Sequence, residues 1–94
     1  MTIKETQQLI QIWEKKNGIH RNQLAGMAAL TEVMGELAIA LAHNDPSVKD
    51  DAQSRQNLSD KLGDVVWNVI SIANQNDIDI TNAVIGTLER KNAK

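Results

Sequence analysis

A long apolar segment, residues 24–42, places the strongest constraint on how this chain folds. It reads LAGMAALTEVMGELAIALA, and apart from its glycines only Thr31, Glu32 and Glu36 are polar. On a helical wheel its apolar residues form two surfaces on nearly opposite sides, which is typical of a helix covered on several sides. A chain of 94 residues has too few other helices to cover it. We therefore expect an all-helical fold that a second copy of the chain completes.

Composition narrows the fold class and the cellular context. Tyr and Phe are absent and proline occurs once, which favours an all-α fold with an aliphatic core. The absence of cysteine excludes disulfides and cysteine-ligated metals. The N-terminus lacks the apolar run of a signal peptide, so we expect a cytoplasmic protein. A net charge of −2 without a basic stripe predicts no nucleic-acid partner, and the two glutamates in residues 24–42 predict no membrane association.

Start and stop signals predict four helices in one domain spanning residues 1–94. A capping box of Thr2 and Glu5 begins the first helix, and Asn17-Gly18 ends it. Asp79 is the expected N-cap of the fourth helix. The predicted spans of the first three helices are Ile3–Lys16, about Asn22 to His43 and about Gln56 to Asn76. Residues 44–55 are predicted to form a polar loop, in which Asp45-Pro46 could cap a short helical turn.

Two acidic pairs, Glu32/Glu36 and Asp60/Asp64, form a candidate metal site. Residues four apart lie on the same face of a helix, and carboxylates in apolar surroundings need a compensating charge. If the second and third helices lie side by side, the four carboxylates converge. Mg²⁺, or Mn²⁺, is the hard cation that prefers such oxygen ligands. Acidic pairs at this spacing also occur on ordinary solvated helix faces, and that alternative stays open.

A site of this kind suits a polyphosphate substrate, because the metal neutralises phosphate charge and orients a water for attack on phosphorus. Asn68, one turn after Asp64, could donate a hydrogen bond to the substrate. Lys91 could meet phosphates, and Trp67 or Trp13 could stack on a base. Each residue also has a plainer interpretation. Asn68 is then an amide at a helix interface, Lys91 belongs to a solvated chain end, and the tryptophans are core residues.

Three stretches of the chain resemble the MazG-like nucleotide pyrophosphohydrolases, an all-α family. They are LTEVMGELAIAL at residues 30–41, KLGDVVWNVISIANQNDIDITNAV at residues 61–84 and LERKNAK at residues 88–94. The resemblance implies a four-helix bundle that assembles as a homodimer or a dimer of dimers. It implies hydrolysis of a nucleoside triphosphate to monophosphate and pyrophosphate. It also implies Mg²⁺ held by a Glu-x-x-Glu pair on one helix and a Glu-x-x-Asp pair on the next.

Carried over to this chain, the resemblance gives roles to the residues singled out above. Glu36 and Asp64 match two of the family's ligand positions and become the expected catalytic and metal-binding carboxylates. Glu32 and Asp60, each one residue before a family position, become additional metal ligands. The expected substrate contacts are Asn68, Trp67, Lys91 and Asn92.

The chain departs from the family pattern at the two other ligand positions, which hold Val33 and Lys61. The neighbouring acids could still reach a metal, because positions three and four back lie within about 60° of the reference residue on a helix. Alternatively, Lys61 forms an ion pair with Glu36 and takes the place of the cation. The chain would then be a catalytically impaired helical dimer that binds a nucleotide or a protein. The direction of the Lys61 ammonium distinguishes the two hypotheses.

Overall fold

The computed structural model describes residues 1–44 and 52–93 and contains four α-helices in these ranges. They are α1 (Ile3–Lys16), α2 (Gln23–His43), α3 (Ala52–Gln75) and α4 (Ile80–Asn92). The predicted all-α class is confirmed. The predicted start of α3 was wrong by one turn, since the helix begins at Ala52 and not at Gln56. The suggested turn at Asp45-Pro46 lies outside the described residues.

The N-terminal caps of α1 and α4 are those that the sequence predicts. Thr2 Oγ1 accepts a hydrogen bond from the Glu5 backbone N–H at 3.1 Å, and the Thr2 N–H donates to Glu5 Oε1 at 3.0 Å. This capping box lowers the pKa of Glu5, chiefly through the backbone hydrogen bond from Thr2. Asn22 caps α2 and Asp79 caps α4, each accepting from the backbone N–H three residues later. Side-chain oxygens thus satisfy donors that the first helical turn leaves unpaired.

Left-handed residues end α1 and α3 and redirect the chain. Gly18 has φ of 65° and Asp77 has φ of 54°. After each, the next residue donates its N–H to a carbonyl five residues earlier, at 2.9 Å in both turns, as in the Schellman motif. Glycine adopts this conformation without cost, and aspartate tolerates it better than most residues do.

Helices α2 and α3 pack against each other as an antiparallel pair. Near the start of α2, the side-chain amides of Gln23 and Asn76 exchange two hydrogen bonds. Gly26 is buried directly against α3, and a Cβ placed there would lie 3.4 Å from a side-chain carbon of α3. Further along, Glu36 pairs with Lys61. These contacts define the register between the two helices.

A buried glutamine joins α1 to the turn between α3 and α4. Gln7 is only 8% exposed. Its Nε2 donates to the Ile78 carbonyl at 2.7 Å and to Asn74 Oδ1 at 2.9 Å. Its Oε1 accepts from the Ile80 backbone N–H at 3.0 Å, at the start of α4. Both N–H donors and the oxygen of the amide are therefore used to hold three helices together.

Much of the apolar surface is uncovered in the single chain. The buried hydrophobic residues in the described part are Ile10, Ala40, Ile70 and Ala73. On α2, by contrast, Leu24 is 80% exposed and Ile39 is 61% exposed. The radius of gyration is 15.6 Å, whereas a compact domain of this length has about 12 Å. The four helices form an open arrangement rather than a closed bundle.

Helix α2 is long and apolar enough to cross a membrane by length and composition. The core helix of a soluble protein passes the same test, so this is weak evidence. Glu32 and Glu36 lie in the middle of α2, and charges at mid-membrane depth are costly. Helix α2 packs along α3 in the described part of the chain, and the cytoplasmic location stays a prediction.

Candidate functional site

The contact surface between α2 and α3 contains a cluster of one ammonium and two carboxylates, called here the Lys61 cluster. Lys61 Nζ of α3 lies 3.0 Å from Glu36 Oε2 of α2 and 3.9 Å from Asp64 Oδ2, one turn further along α3. The Lys61 side chain is 28% exposed and the Glu36 side chain 40% exposed. The ammonium therefore bridges the two helices at the edge of their interface, between the two best-supported candidate ligands.

Electrostatics keep this ammonium charged. The hydrogen bond and the charge of Glu36 raise the pKa of Lys61 above its ordinary value, and the charges of Asp64 and Asp60 act in the same direction. A lysine with a raised pKa is fully protonated at neutral pH. The cluster thus contains a permanent positive charge supplied by the chain itself.

Among the described residues, neither of the other two predicted acids forms an ion pair with Lys61. Asp60 Oδ1 accepts a hydrogen bond from Gln56 Nε2 of its own helix at 2.8 Å, and Glu32 is exposed. Within residues 1–44 and 52–93, no three His, Asp or Glu side chains are grouped to hold a metal ion. Mg²⁺ usually takes one or two carboxylates and completes a near-octahedral shell with waters and substrate phosphates, and here the Glu36 and Asp64 carboxylates face the Lys61 ammonium. Their assignment as Mg²⁺ ligands stays a prediction from the resemblance.

Asn68 continues the line of Lys61 and Asp64 along α3. Its Nδ2 donates to the Asp64 carbonyl at 2.8 Å, and its Oδ1 accepts from Arg21 Nη1 at 3.3 Å. Arg21 precedes α2, and its guanidinium lies at Asn68, seven residues after Lys61 along α3. Sequence reasoning missed Arg21, because periodicity within a helix gives no sign of a contact across 47 residues.

The two tryptophans form a pair at the surface and not in a closed core. The rings of Trp13 and Trp67 meet edge to face, with centroids 5.3 Å apart and an interplanar angle of 84°. They line an apolar groove of about 490 Å³ along α1, together with Leu9, Ile10 and Ile12. The two rings are 47% and 37% exposed, so the groove is open to a ligand or a partner. Trp67 as a base-stacking residue stays a prediction.

The predicted substrate contacts at the C-terminus lie apart from the cluster. Lys91 and Asn92 are exposed on the last turn of α4, and α4 packs against α1. In the described part of the chain, no hydrogen bond or ion pair joins either residue to the Lys61 cluster. Their role in substrate binding stays a prediction.

The structure is an all-helical domain with two carboxylates, those of Glu36 and Asp64, at the interface between α2 and α3. Residues 21–94 match the family model described as the MazG nucleotide pyrophosphohydrolase domain. Because the match covers α2, α3 and α4 and most of the chain, the protein belongs to the MazG family. The predicted family is confirmed, and α1 lies outside the matched range. No curated protein and no solved structure matches the chain significantly.

Proposed function

We propose that this chain is a MazG-fold protein that binds nucleotides but does not hydrolyse them with Mg²⁺. The observation that supports this most is the Lys61 ammonium, 3.0 Å from Glu36 and 3.9 Å from Asp64. Family membership supports a nucleotide as the ligand. The ammonium supports binding without metal-dependent chemistry, because it occupies the space between the two carboxylates that match the family's ligand positions.

The chemistry of an ammonium differs from that of a divalent ion. A lysine supplies three donors and a point charge, which suits phosphate oxygens. It does not generate a metal-bound nucleophilic water. Lys61, and Arg21 at Asn68 two helical turns further along α3, would attract the phosphates of a nucleotide. The apolar groove beside Trp13 and Trp67 offers the aromatic surface that a base requires.

A second candidate function is Mg²⁺-dependent hydrolysis of nucleoside triphosphates to monophosphates and pyrophosphate, with a house-cleaning role. The match to the nucleotide pyrophosphohydrolase domain favours it. Glu36 and Asp64 also lie on the two facing helices that the resemblance assigns to the ligands. In this candidate the ammonium has to move away from both carboxylates before a metal binds. Pyrophosphate release separates the two candidates.

We also propose that the functional unit is a homodimer, with a dimer of dimers as the larger alternative. The chain exposes 7138 Å², whereas a compact monomer of 10.4 kDa exposes about 5,400 Å². The excess of about 1,700 Å² is larger than the ~800 Å² that each partner buries in a standard interface. The exposed apolar residues of α2 supply the surface that such an interface needs.

The test of the proposed function is an assay on the purified protein with a panel of nucleoside triphosphates. Without metal and with EDTA, we expect saturable quenching of the fluorescence of Trp13 and Trp67. Replacing Lys61 by Gln should weaken this binding about 10- to 100-fold, because a charged hydrogen bond to phosphate is lost. With Mg²⁺, we expect no pyrophosphate release above the blank.

The matched control is Asp64→Asn, which removes a candidate ligand and keeps its size. Release of pyrophosphate by the wild-type protein that disappears in Asp64→Asn would refute the proposal and establish the second candidate. Absence of any nucleotide-dependent fluorescence change would refute the binding role itself.

A further inference from the structure

We infer that the Lys61 ammonium is a built-in counter-ion that replaces a divalent cation as the link between α2 and α3. The inference deepens the proposed function, since it concerns the same cluster. With this counter-ion, the pairing of α2 and α3 does not depend on a divalent metal. The residues at two positions, Lys61 and Val33, then account for the loss of metal binding.

The first support is the geometry of the ammonium. Lys61 Nζ contacts a carboxylate of α2 and lies within 4 Å of a carboxylate of its own helix, Asp64. Two like charges would otherwise face each other across the helix interface and repel. One cation that contacts both is the arrangement that a bridging metal ion would also provide.

The second support is the incompatibility of the ammonium with a divalent ion at the same carboxylates. A Mg²⁺ ligated by Glu36 would sit about 2.1 Å from its oxygen. Lys61 Nζ lies 3.0 Å from that same carboxylate oxygen, Oε2. The two cations would be close neighbours in a partly buried setting, where repulsion between charges is stronger than in bulk water. Binding of a metal at Oε2 and retention of the ammonium at the same oxygen therefore oppose each other.

The third support is the register between α2 and α3. Gln23 pairs with Asn76 at one end, and Glu36 pairs with Lys61 at the other. Interpolation along this antiparallel pair places Val33 at the level of residues 64 and 65. Valine provides no oxygen there. The chain thus lacks one oxygen ligand at position 33 and carries a cation at position 61, and both changes act against a metal.

Thermal unfolding with and without Mn²⁺ tests the inference, with no nucleotide present. We expect the melting temperature of the wild-type protein to be the same in EDTA and in excess MnCl₂, within about 1 °C. Lys61→Gln removes the counter-ion and leaves two facing carboxylates. Lys61→Glu adds a third. In EDTA, both variants should have a lower melting temperature than the wild-type protein. Mn²⁺ should raise the melting temperature of both variants, by about 5–10 °C for Lys61→Glu.

Lys15→Glu is the matched control, because it makes the same charge change at an exposed position on the last turn of α1. It should not respond to Mn²⁺. If Mn²⁺ raises the melting temperature of the wild-type protein as much as that of Lys61→Gln, the ammonium does not exclude the metal and the inference is wrong. If folded Lys61→Glu gives no response, the carboxylates do not share a cation, and the inference is also wrong.

Failure of this inference is separable from failure of the proposed function. The melting experiment contains no nucleotide, and nucleotide binding is measured in EDTA. A wild-type protein that binds Mn²⁺ refutes the counter-ion role whether or not nucleotide binds in EDTA. A wild-type protein that binds no nucleotide refutes the binding role whether or not the melting temperatures behave as expected.

Discussion

Replacement of Gln7 by leucine is expected to lower the free energy of unfolding by about 2–4 kcal/mol, the largest stability effect of any single change considered for this chain. The reason is that one buried amide serves three partners: the Ile78 carbonyl, the Asn74 side chain and the Ile80 N–H. Leucine keeps the volume but leaves these polar groups without their partner. Each such loss costs about 1–3 kcal/mol when the group stays out of water.

Gln8→Leu provides the matched control, because Gln8 is the next residue on α1 and is exposed. It should change stability by less than about 0.5 kcal/mol. Chemical denaturation of both variants at the same protein concentration measures the difference, since a dimer's stability depends on concentration. Equal effects of the two substitutions would show that the Gln7 hydrogen bonds do not hold α1 to the α3–α4 turn.

Replacement of Ile39 by glutamate is expected to convert the proposed dimer into monomers, with an increase in the dissociation constant of more than about 100-fold. Ile39 is 61% exposed in the single chain, and it lies on the apolar α2 surface that the proposed interface covers. A carboxylate there would have to be buried without a partner. Sedimentation equilibrium measures the result, as a fall from twice the chain mass of 10.4 kDa to that mass.

Glu32→Gln is the control for the dimer prediction, because it changes the charge on the exposed acidic strip of the same helix and not its apolar surface. It should keep the dimer mass. Loss of helicity in Ile39→Glu would fit an obligate dimer, in which the monomer has no stable fold. A wild-type protein that sediments as a monomer, or an Ile39→Glu variant that stays a dimer, would contradict the proposal.

Local signals were sufficient to predict most of the fold. The caps at Thr2, Asn22 and Asp79 are side-chain preferences that act within three residues, so the sequence displays them directly. The start of α3 was misplaced because residues 52–55 read AQSR. This turn has only one small apolar side chain, and hydrophobic periodicity therefore does not detect it.

Contacts between distant segments could not be predicted in this way. The sequence identified Lys61 as a departure from the family pattern and offered two directions for its ammonium. The choice depends on the register of α2 against α3, which packing along the whole interface determines. The Gln7 network joins residues that are 67 to 73 positions apart, and no local pattern encodes it. The exposed apolar surface of α2, in contrast, was expected from the distribution of its apolar residues on a helical wheel.

The most direct test of the central claim is the number of Mn²⁺ ions that the wild-type protein binds per chain, measured by the loss of the free-ion signal in electron paramagnetic resonance. With Lys61 serving as the cation between Glu36 and Asp64, the expected result is no bound Mn²⁺ at micromolar concentrations. The Val33→Glu/Lys61→Glu double variant should then bind about one ion per chain. One tightly bound Mn²⁺ per chain in the wild-type protein would contradict the account.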